Sequence, residues 1–279
     1  MSQIHFVKMH GIGNDYVYVD CFDADVPEPG TVAARVSDRR TGIGSDGLIL
    51  IRPSETADCR MEMYNADGSR GRMCGNGVRC VGKYVYESGR ARRNPLRVDT
   101  DAGVKTLDLD LRGDRVVAVT VDMDQPILDG PSVPVAAEGP VIDAPLRAGG
   151  RDWRVTCLSM GNPHCVTFVD DPAGLDLERL GPEFEHHPFF PERVNTEFVR
   201  VLGRGEMAMR VWERGSGETA ACGTGACAVL VAAVLTGRAD RHATVHLTGG
   251  DLEIEWREAD GHVRMTGPAE EVFRGTVEV

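Results

Sequence analysis

Two stretches of this chain overlay without a gap, and each carries one cysteine ahead of a glycine-rich helix start. Met63-Tyr64-Asn65 runs on to Met73-Cys74-Gly75-Asn76-Gly77, and Val211-Trp212-Glu213 runs on to Ala221-Cys222-Gly223-Thr224-Gly225. The offset is 222 − 74 = 148. The same offset relates Gly13-Asn14 to Gly161-Asn162, and each pair leads into an apolar run that ends in Val-Asp (Val19-Asp20, Val169-Asp170). A register shared by three features restricts the chain to two copies of one α/β unit. They are related by a pseudo-two-fold axis, and each presents a thiol at a helix N-terminus.

That arrangement suits inversion of a carbon stereocentre by proton exchange, which needs a base on one face and an acid on the other. A cysteine of ordinary pKa, about 8.5, is only a few per cent thiolate at neutral pH. The unpaired N–H groups and partial positive charge of a helix's first turn favour the thiolate, and values fall to about 3.5–7.5 in such settings. The same N–H groups can bind a carboxylate. The neighbouring glycines let backbone approach a ligand closely. Each Cys-Gly-X-Gly therefore reads as an acid–base group and half of an anion site.

The length of 279 residues allows one large or two medium domains, and the repeat selects two. We expect them to span 1–123 plus 268–279 and 124–267. A net charge of −12 argues against nucleic-acid and anionic-membrane partners, whose phosphates need clustered Lys and Arg. Ser2-Gln3-Ile4-His5 lacks the basic start and apolar core of a secretory signal. The longest apolar run, 226–235, is far short of the roughly 20 residues of a membrane span. A soluble, cytoplasmic protein is expected. Its eight cysteines then read as reduced thiols, and the lack of any C-x-x-C spacing argues against structural zinc.

Periodicity and turn signals predict strands at 4–9, 16–21, 48–51, 60–64, 96–98, 105–111 and 116–121, with helices at 32–39 and 78–86. Residues 126–150, rich in Pro, Gly and Ala, read as a crossover with an irregular strand. The second half repeats the plan with strands at 154–158, 165–169, 197–202 and 207–212, then 243–247, 252–256 and 263–265. Its helices fall at 175–180 and 226–235. Residues 271–279 read as a strand returning to the first domain.

Cys74 and Cys222 are the candidate catalytic pair. The other six, Cys21, Cys59, Cys80, Cys157, Cys165 and Cys227, lack that setting and read as small core residues. Arg214, eight residues ahead of Cys222, offers a planar fork for a carboxylate. Glu213 suits a substrate ammonium or tunes a thiol. His164 follows a repeat-marked Asn-Pro turn and can adjust a thiol's ionisation. Asn14, Asn65, Asn162 and Asn195 are neutral hydrogen-bonding groups for amino and carboxyl ends. Pyridoxal phosphate needs a Schiff-base lysine, and none of Lys8, Lys83 and Lys105 lies in a recognisable cofactor motif. Cofactor-free, metal-free proton transfer is the simpler account.

Over essentially its whole length the chain resembles the diaminopimelate epimerases. The resemblance is carried by Lys8-Met9-His10-Gly11-Ile12-Gly13-Asn14-Asp15-Tyr16, Asn65-Ala66-Asp67-Gly68-Ser69, Met73-Cys74-Gly75-Asn76-Gly77-Val78-Arg79, Ala102-Gly103-Val104-Lys105, Gly161-Asn162-Pro163-His164, and Glu213-Arg214-Gly215 through Cys222-Gly223-Thr224-Gly225. It implies pyridoxal-independent interconversion of LL- and meso-diaminopimelate for lysine and peptidoglycan precursors. It also implies a homodimer of α/β (α+β) subunits. Each subunit would have two pseudo-symmetric domains, each a curved, mostly antiparallel sheet or barrel around a central helix, with the active site in the interdomain cleft.

Carried over, Cys74 and Cys222 form the thiolate/thiol pair, and the backbone of Gly75-Asn76 and Gly223-Thr224 holds the reacting carboxylate. Asn14, Asn65, Asn162, Asn195 and Arg214 hold the amino and distal carboxylate groups, while Glu213 and His164 modulate the site. Two positions depart from the pattern. Many members have Gln where Gly47 stands, so a side-chain contact there is absent or replaced by water. Some have a Tyr dimer contact where this chain has Phe273.

Proline racemase and hydroxyproline epimerase are similar, but their first motif has His after Cys-Gly, where Asn76 stands here, and they lack the Glu-Arg-Gly lead-in. The phenazine-biosynthesis isomerases lack both thiols. A thiol-based redox or metal sensor is the rival of a different class. It predicts zinc or a Cys74–Cys222 disulfide as the working state.

Overall fold

A computed structural model describes residues 3–278 of the chain. In chain order the elements are β1 (Gln3–Gly11), β2 (Asn14–Asp20), α1 (Pro29–Ser37), β3 (Gly47–Arg52), β4 (Cys59–Asn65), β5 (Arg70–Gly71), α2 (Gly75–Glu87), β6 (Leu96–Asp99), β7 (Lys105–Arg112) and β8 (Arg115–Asp122). There follow β9 (Val141–Ala148), β10 (Arg151–Ser159), β11 (Pro163–Phe168), α3 (Leu177–Glu185), β12 (Asn195–Gly203), β13 (Glu206–Glu213), β14 (Gly217–Thr219) and α4 (Gly223–Leu235). The chain closes with β15 (His242–Leu247), β16 (Gly250–Trp256), β17 (Val263–Gly267) and β18 (Glu270–Glu278). The chain forms two compact units. One takes it up to Val121 and again from Thr266, and the other is Asp122–Met265.

The repeat governs the backbone. Adding 148 to the bounds of β1, α1 and α2 lands to the residue on β10, α3 and α4. The ladders repeat with them. Tyr16 pairs with Gly47 as His164 pairs with Asn195, both in parallel. Leu48 pairs with Tyr64 as Thr196 pairs with Trp212, and Met63 with Gly71 as Val211 with Thr219. In each unit most neighbouring strands are antiparallel, and the helix behind the cysteine lies against several of them. Helix α2 packs on β1, β2, β4, β6 and β7, and α4 on β10, β11, β12, β15 and β16. Both helices are mostly buried, and from Gly225 to Ala233 no residue of α4 is exposed. A helix that is apolar all round must be enclosed.

The units differ at their first hairpin. Gly11 faces Asn14 across a two-residue turn whose Ile12 and Gly13 both have positive φ, 50° and 89°, the backbone a type I′ turn requires. A β-branched residue is strained there. In the second unit Ser159 faces Pro163, so three residues make the turn.

Where elements depart from the sequence reading, proline is usually the reason. Helix α1 begins three residues early because Pro29 occupies its first turn with φ already set. Helix α3 runs five residues past the expected end, with Pro182 inside it. Asp176 caps it by accepting from Arg179 N–H, and buried Leu177, Leu180 and Phe184 hold it to the sheet despite the missing donor. The crossover holds a regular strand, β9, paired antiparallel with β10. The final strand, β18, pairs antiparallel with β1; Val279 of the expected strand lies outside the described residues. On it Phe273 is 46% exposed and meets Phe6 edge-on at 5.8 Å. No helix among the described residues is long and apolar enough to cross a membrane.

The second unit's core is organised by Trp153, Phe184 and Phe198. Their rings meet edge-to-face with centroids 5.3, 5.4 and 5.8 Å apart. Phe184 is fully buried. Phe184→Ala should cost about 3–5 kcal/mol, read as a lowered urea midpoint, because the cavity is walled by two rigid rings.

Candidate functional site

Each helix behind a cysteine begins one residue after it. Cys74 and Cys222 are the N-caps of α2 and α4, both in extended backbone. Their sulfurs accept the N–H of Gly77 and of Gly225, each at 3.3 Å. Serine, threonine or aspartate usually fills this position. Here a thiol does, so one of the orphan donors of each helix points at sulfur.

Around Cys74 the first unit places neutral groups. The thiol donates to Asn14 Oδ1 at 3.2 Å, and Asn14 Nδ2 donates to Asp46 Oδ2 at 2.7 Å. Arg39 bridges Asp46 and Asp15 at 2.9 and 2.7 Å, and Lys8 pairs with Asp15. Burial opposes ionisation of Asp15, but Arg39 and Lys8 outweigh it and hold the carboxyl below its usual value. Cys74 is half-buried, Gly75 and Asn76 lie buried in the first turn of α2, and Asn65 donates to Ser69 Oγ at 2.9 Å.

Tyr16, not singled out by the sequence reading, belongs to this group. Its hydroxyl lies in hydrogen-bonding reach of Cys74 and Asn14. Burial, then the sulfur's charge, keeps it protonated by pushing its pKa well up. The signal was available, because Tyr16 occupies the repeat position of His164. Its ring also answers the question of Gly47. A methyl group built there would stand 2.8 Å from Tyr16 Cε1 and 2.1 Å from the Tyr64 carbonyl oxygen, so no side chain fits.

Around Cys222 the second unit places acids. Cys222 is only 4% exposed, and Thr224 Oγ1 is 3.6 Å from its sulfur. Burial, then the Glu213 carboxylate, push this thiol well above its ordinary value, against the pull of Thr224 and Gly225 N–H. The expected fall in pKa at a helix start is therefore reversed at Cys222. Desolvation and the nearby Glu213 carboxylate exceed what one helix end supplies. Glu213 is bonded by Thr219 Oγ1.

His164 is fully buried, with Nδ1 2.7 Å from Glu197 Oε1 and Nε2 3.0 Å from Asn162 Oδ1. Asn195 is buried and bonds at both ends of its amide, donating to Pro163 O at 3.0 Å and accepting Arg214 N–H at 2.8 Å. The Arg214 guanidinium donates to Glu192 O at 3.0 Å, and Gly223 and Thr224 form the first turn of α4. Glu197 was also missed. A charged residue within the otherwise uncharged run Asn195-Thr196-Glu197-Phe198-Val199 was its signal.

All eight cysteines are free thiols. Cys21, Cys59, Cys80, Cys157, Cys165 and Cys227 are buried. Burial raises Cys21 and Cys80 to about 11 and Cys59 to about 12, and lifts Cys165 well above its usual range. Such thiols are inert at neutral pH.

Known proteins resemble this chain along its length. The family model described as diaminopimelate epimerase matches residues 6–128 and 156–272. A diaminopimelate epimerase of Moorella thermoacetica is 57% identical over 275 residues, 98% of each chain. One of Acetivibrio thermocellus is 54% identical over 277 residues, 99% of each. Among solved structures, a phenazine biosynthesis protein of the PhzF family from Bacillus anthracis superposes with a TM-score of 0.71, covering 100% of both chains at 16% identity. That likeness speaks for the fold alone. With a family model matched across both units and relatives identical at more than half their positions, the chain belongs to the diaminopimelate epimerase family.

Proposed function

We propose that this protein is a cofactor-independent isomerase that interconverts LL- and meso-diaminopimelate with Cys74 and Cys222 as a two-base pair. The observation that carries the reading is the matched capping of α2 and α4 by sulfur, on residues that the family relationship covers. The domains 1–123 plus 268–279 and 124–267 would each contribute one thiol. The enzyme would act in the cytoplasm as a homodimer, in the supply of lysine and peptidoglycan precursors, without nucleic-acid or membrane partners.

The chemistry follows from the groups described. One sulfur, as thiolate, takes the α-hydrogen of the substrate as a proton. The electron pair left on carbon spreads into the α-carboxylate, which the N–H groups of Gly75-Asn76 and Gly223-Thr224 stabilise. The other sulfur, as thiol, returns a proton to the opposite face. Cys222, held protonated by burial and by Glu213, is the donor when Cys74 is the base. The roles exchange in the reverse direction.

Asn14 and Tyr16 steady Cys74, while His164 and Glu213 tune the second half. Asn65, Asn162 and Arg214 hold the substrate's amino and distal carboxylate groups. Asn195 supports that grip through the Arg214 backbone. The distal carboxylate gives the bidentate guanidinium its purpose.

Cys74→Ala and Cys222→Ala should each lower kcat by about 10²–10⁴-fold, the usual worth of a general acid–base step. In deuterated water the wild type should place solvent deuterium at the α-carbon of LL-diaminopimelate; full turnover in either alanine variant would remove the two-base reading. Arg214→Ala should raise KM on the order of 10–100-fold, the worth of a charged hydrogen bond. Equal losses on amino acids with one carboxylate would contradict its role.

A further inference from the structure

One of the buried positions at which the two halves differ lies against the first turn of each cysteine-capped helix. A methyl group built on Gly77, in the first turn of α2, would stand 2.7 Å from Ile49 Cδ1. The repeat carries Gly77 to Gly225 and Ile49 to Glu197. On Gly225 the same methyl would stand 2.8 Å from Glu197 Oε1 and 3.1 Å from Cys222 Sγ. The glycine thus makes room beneath α4 for a carboxyl where the first half packs an aliphatic chain.

Glu197 is fully buried. Its Oε1 meets His164 Nδ1, and among the described residues its Oε2 has no hydrogen-bond partner. The groups facing it are His164 and Cys165 from β11, Glu213 from β13, and Cys222 with the first turn of α4. An amide oxygen only accepts, so the contact between His164 Nε2 and Asn162 Oδ1 requires a proton on Nε2. The remaining question is the proton between Glu197 and Nδ1. An ionised carboxylate with one bare oxygen, buried next to Glu213, is far costlier than a neutral acid. Burial, first among the influences on Glu197, raises its pKa even against the pull of His164.

We infer that Glu197 is a positioning residue of the second half: a neutral carboxylic acid that donates from Oε1 to His164 Nδ1, so that His164 presents Nε2–H to Asn162. With its oxygen engaged, Asn162 turns its NH₂ outward and offers donors to an acceptor such as a carboxylate. The inference deepens the proposed function and rests on Asn162 contacting substrate, but the protonation chain it describes is a property of the free protein.

The test uses the full-length protein without ligand. Infrared difference spectroscopy of wild type against Glu197→Gln at neutral pH should show a protonated-carboxyl C=O band that the variant lacks. Nitrogen-15 spectra of the histidine ring, assigned by His164→Asn, should show His164 protonated on Nε2 alone. Gln can donate from its amide to Nδ1 and should keep both this tautomer and a KM within about threefold of wild type. Glu197→Leu cannot, and should raise KM about tenfold, the worth of one hydrogen bond, with a smaller change in kcat.

No carboxyl band in the wild type, a proton on His164 Nδ1, or Gln and Leu variants equally impaired would each overturn the inference. These spectra are independent of turnover. An enzyme without epimerase activity but with the expected tautomer would sink the proposed function and leave Glu197 standing, and the converse result would do the reverse.

Discussion

Each half of the protein is built around a sulfur that accepts a backbone N–H at the start of an enclosed helix. The contact spans only 3.3 Å in each unit, but it settles several things at once. It ends the approach of β5 or β14 and starts the helix. It places the thiol at the positive end of the helix dipole. Glycine three residues on fits beside it, because a methyl group at Gly77 or Gly225 would stand 2.7 Å from Ile49 Cδ1 or 2.8 Å from Glu197 Oε1. The Cys-Gly-X-Gly pattern is therefore as much a packing requirement as a chemical one.

On that common frame the two units diverge in what surrounds the sulfur. Asn65 stands at the repeat position of Glu213, Ile49 at that of Glu197, Tyr16 at that of His164, and Gly47 at that of Asn195. In the first unit the thiol is half-buried and touches an amide and a phenol. In the second it is nearly inaccessible and faces two acids. Backbone symmetry supplies equivalent geometry, and side-chain asymmetry supplies unequal sulfurs. A reaction that runs between stereoisomers of different symmetry has no need for equal ones.

The fold was legible wherever a local rule decided it. Both central helices, their order between strands and the returning last strand follow from glycines, apolar runs and the repeat. The reading failed where tertiary packing overrode a local signal. Pro182 looks like a helix terminator, yet Leu180 and Phe184 bury on either side of it and the helix continues. Residues 126–150 look irregular, yet β10 supplies a partner for β9.

The candidate site divides in the same way. The amino-acid order alone identified the two cysteines, the asparagines and the Glu213-Arg214 pair, because a repeated motif marks positions without regard to surroundings. Only the tertiary structure brought Tyr16 to Cys74 and Glu197 to His164 and Cys222, since those neighbours come from different strands. It alone reversed the expected ionisation of Cys222. A helix start is a local feature that sequence reveals, whereas the burial that opposes it and the Glu213 carboxylate of β13 arrive only once the chain has folded.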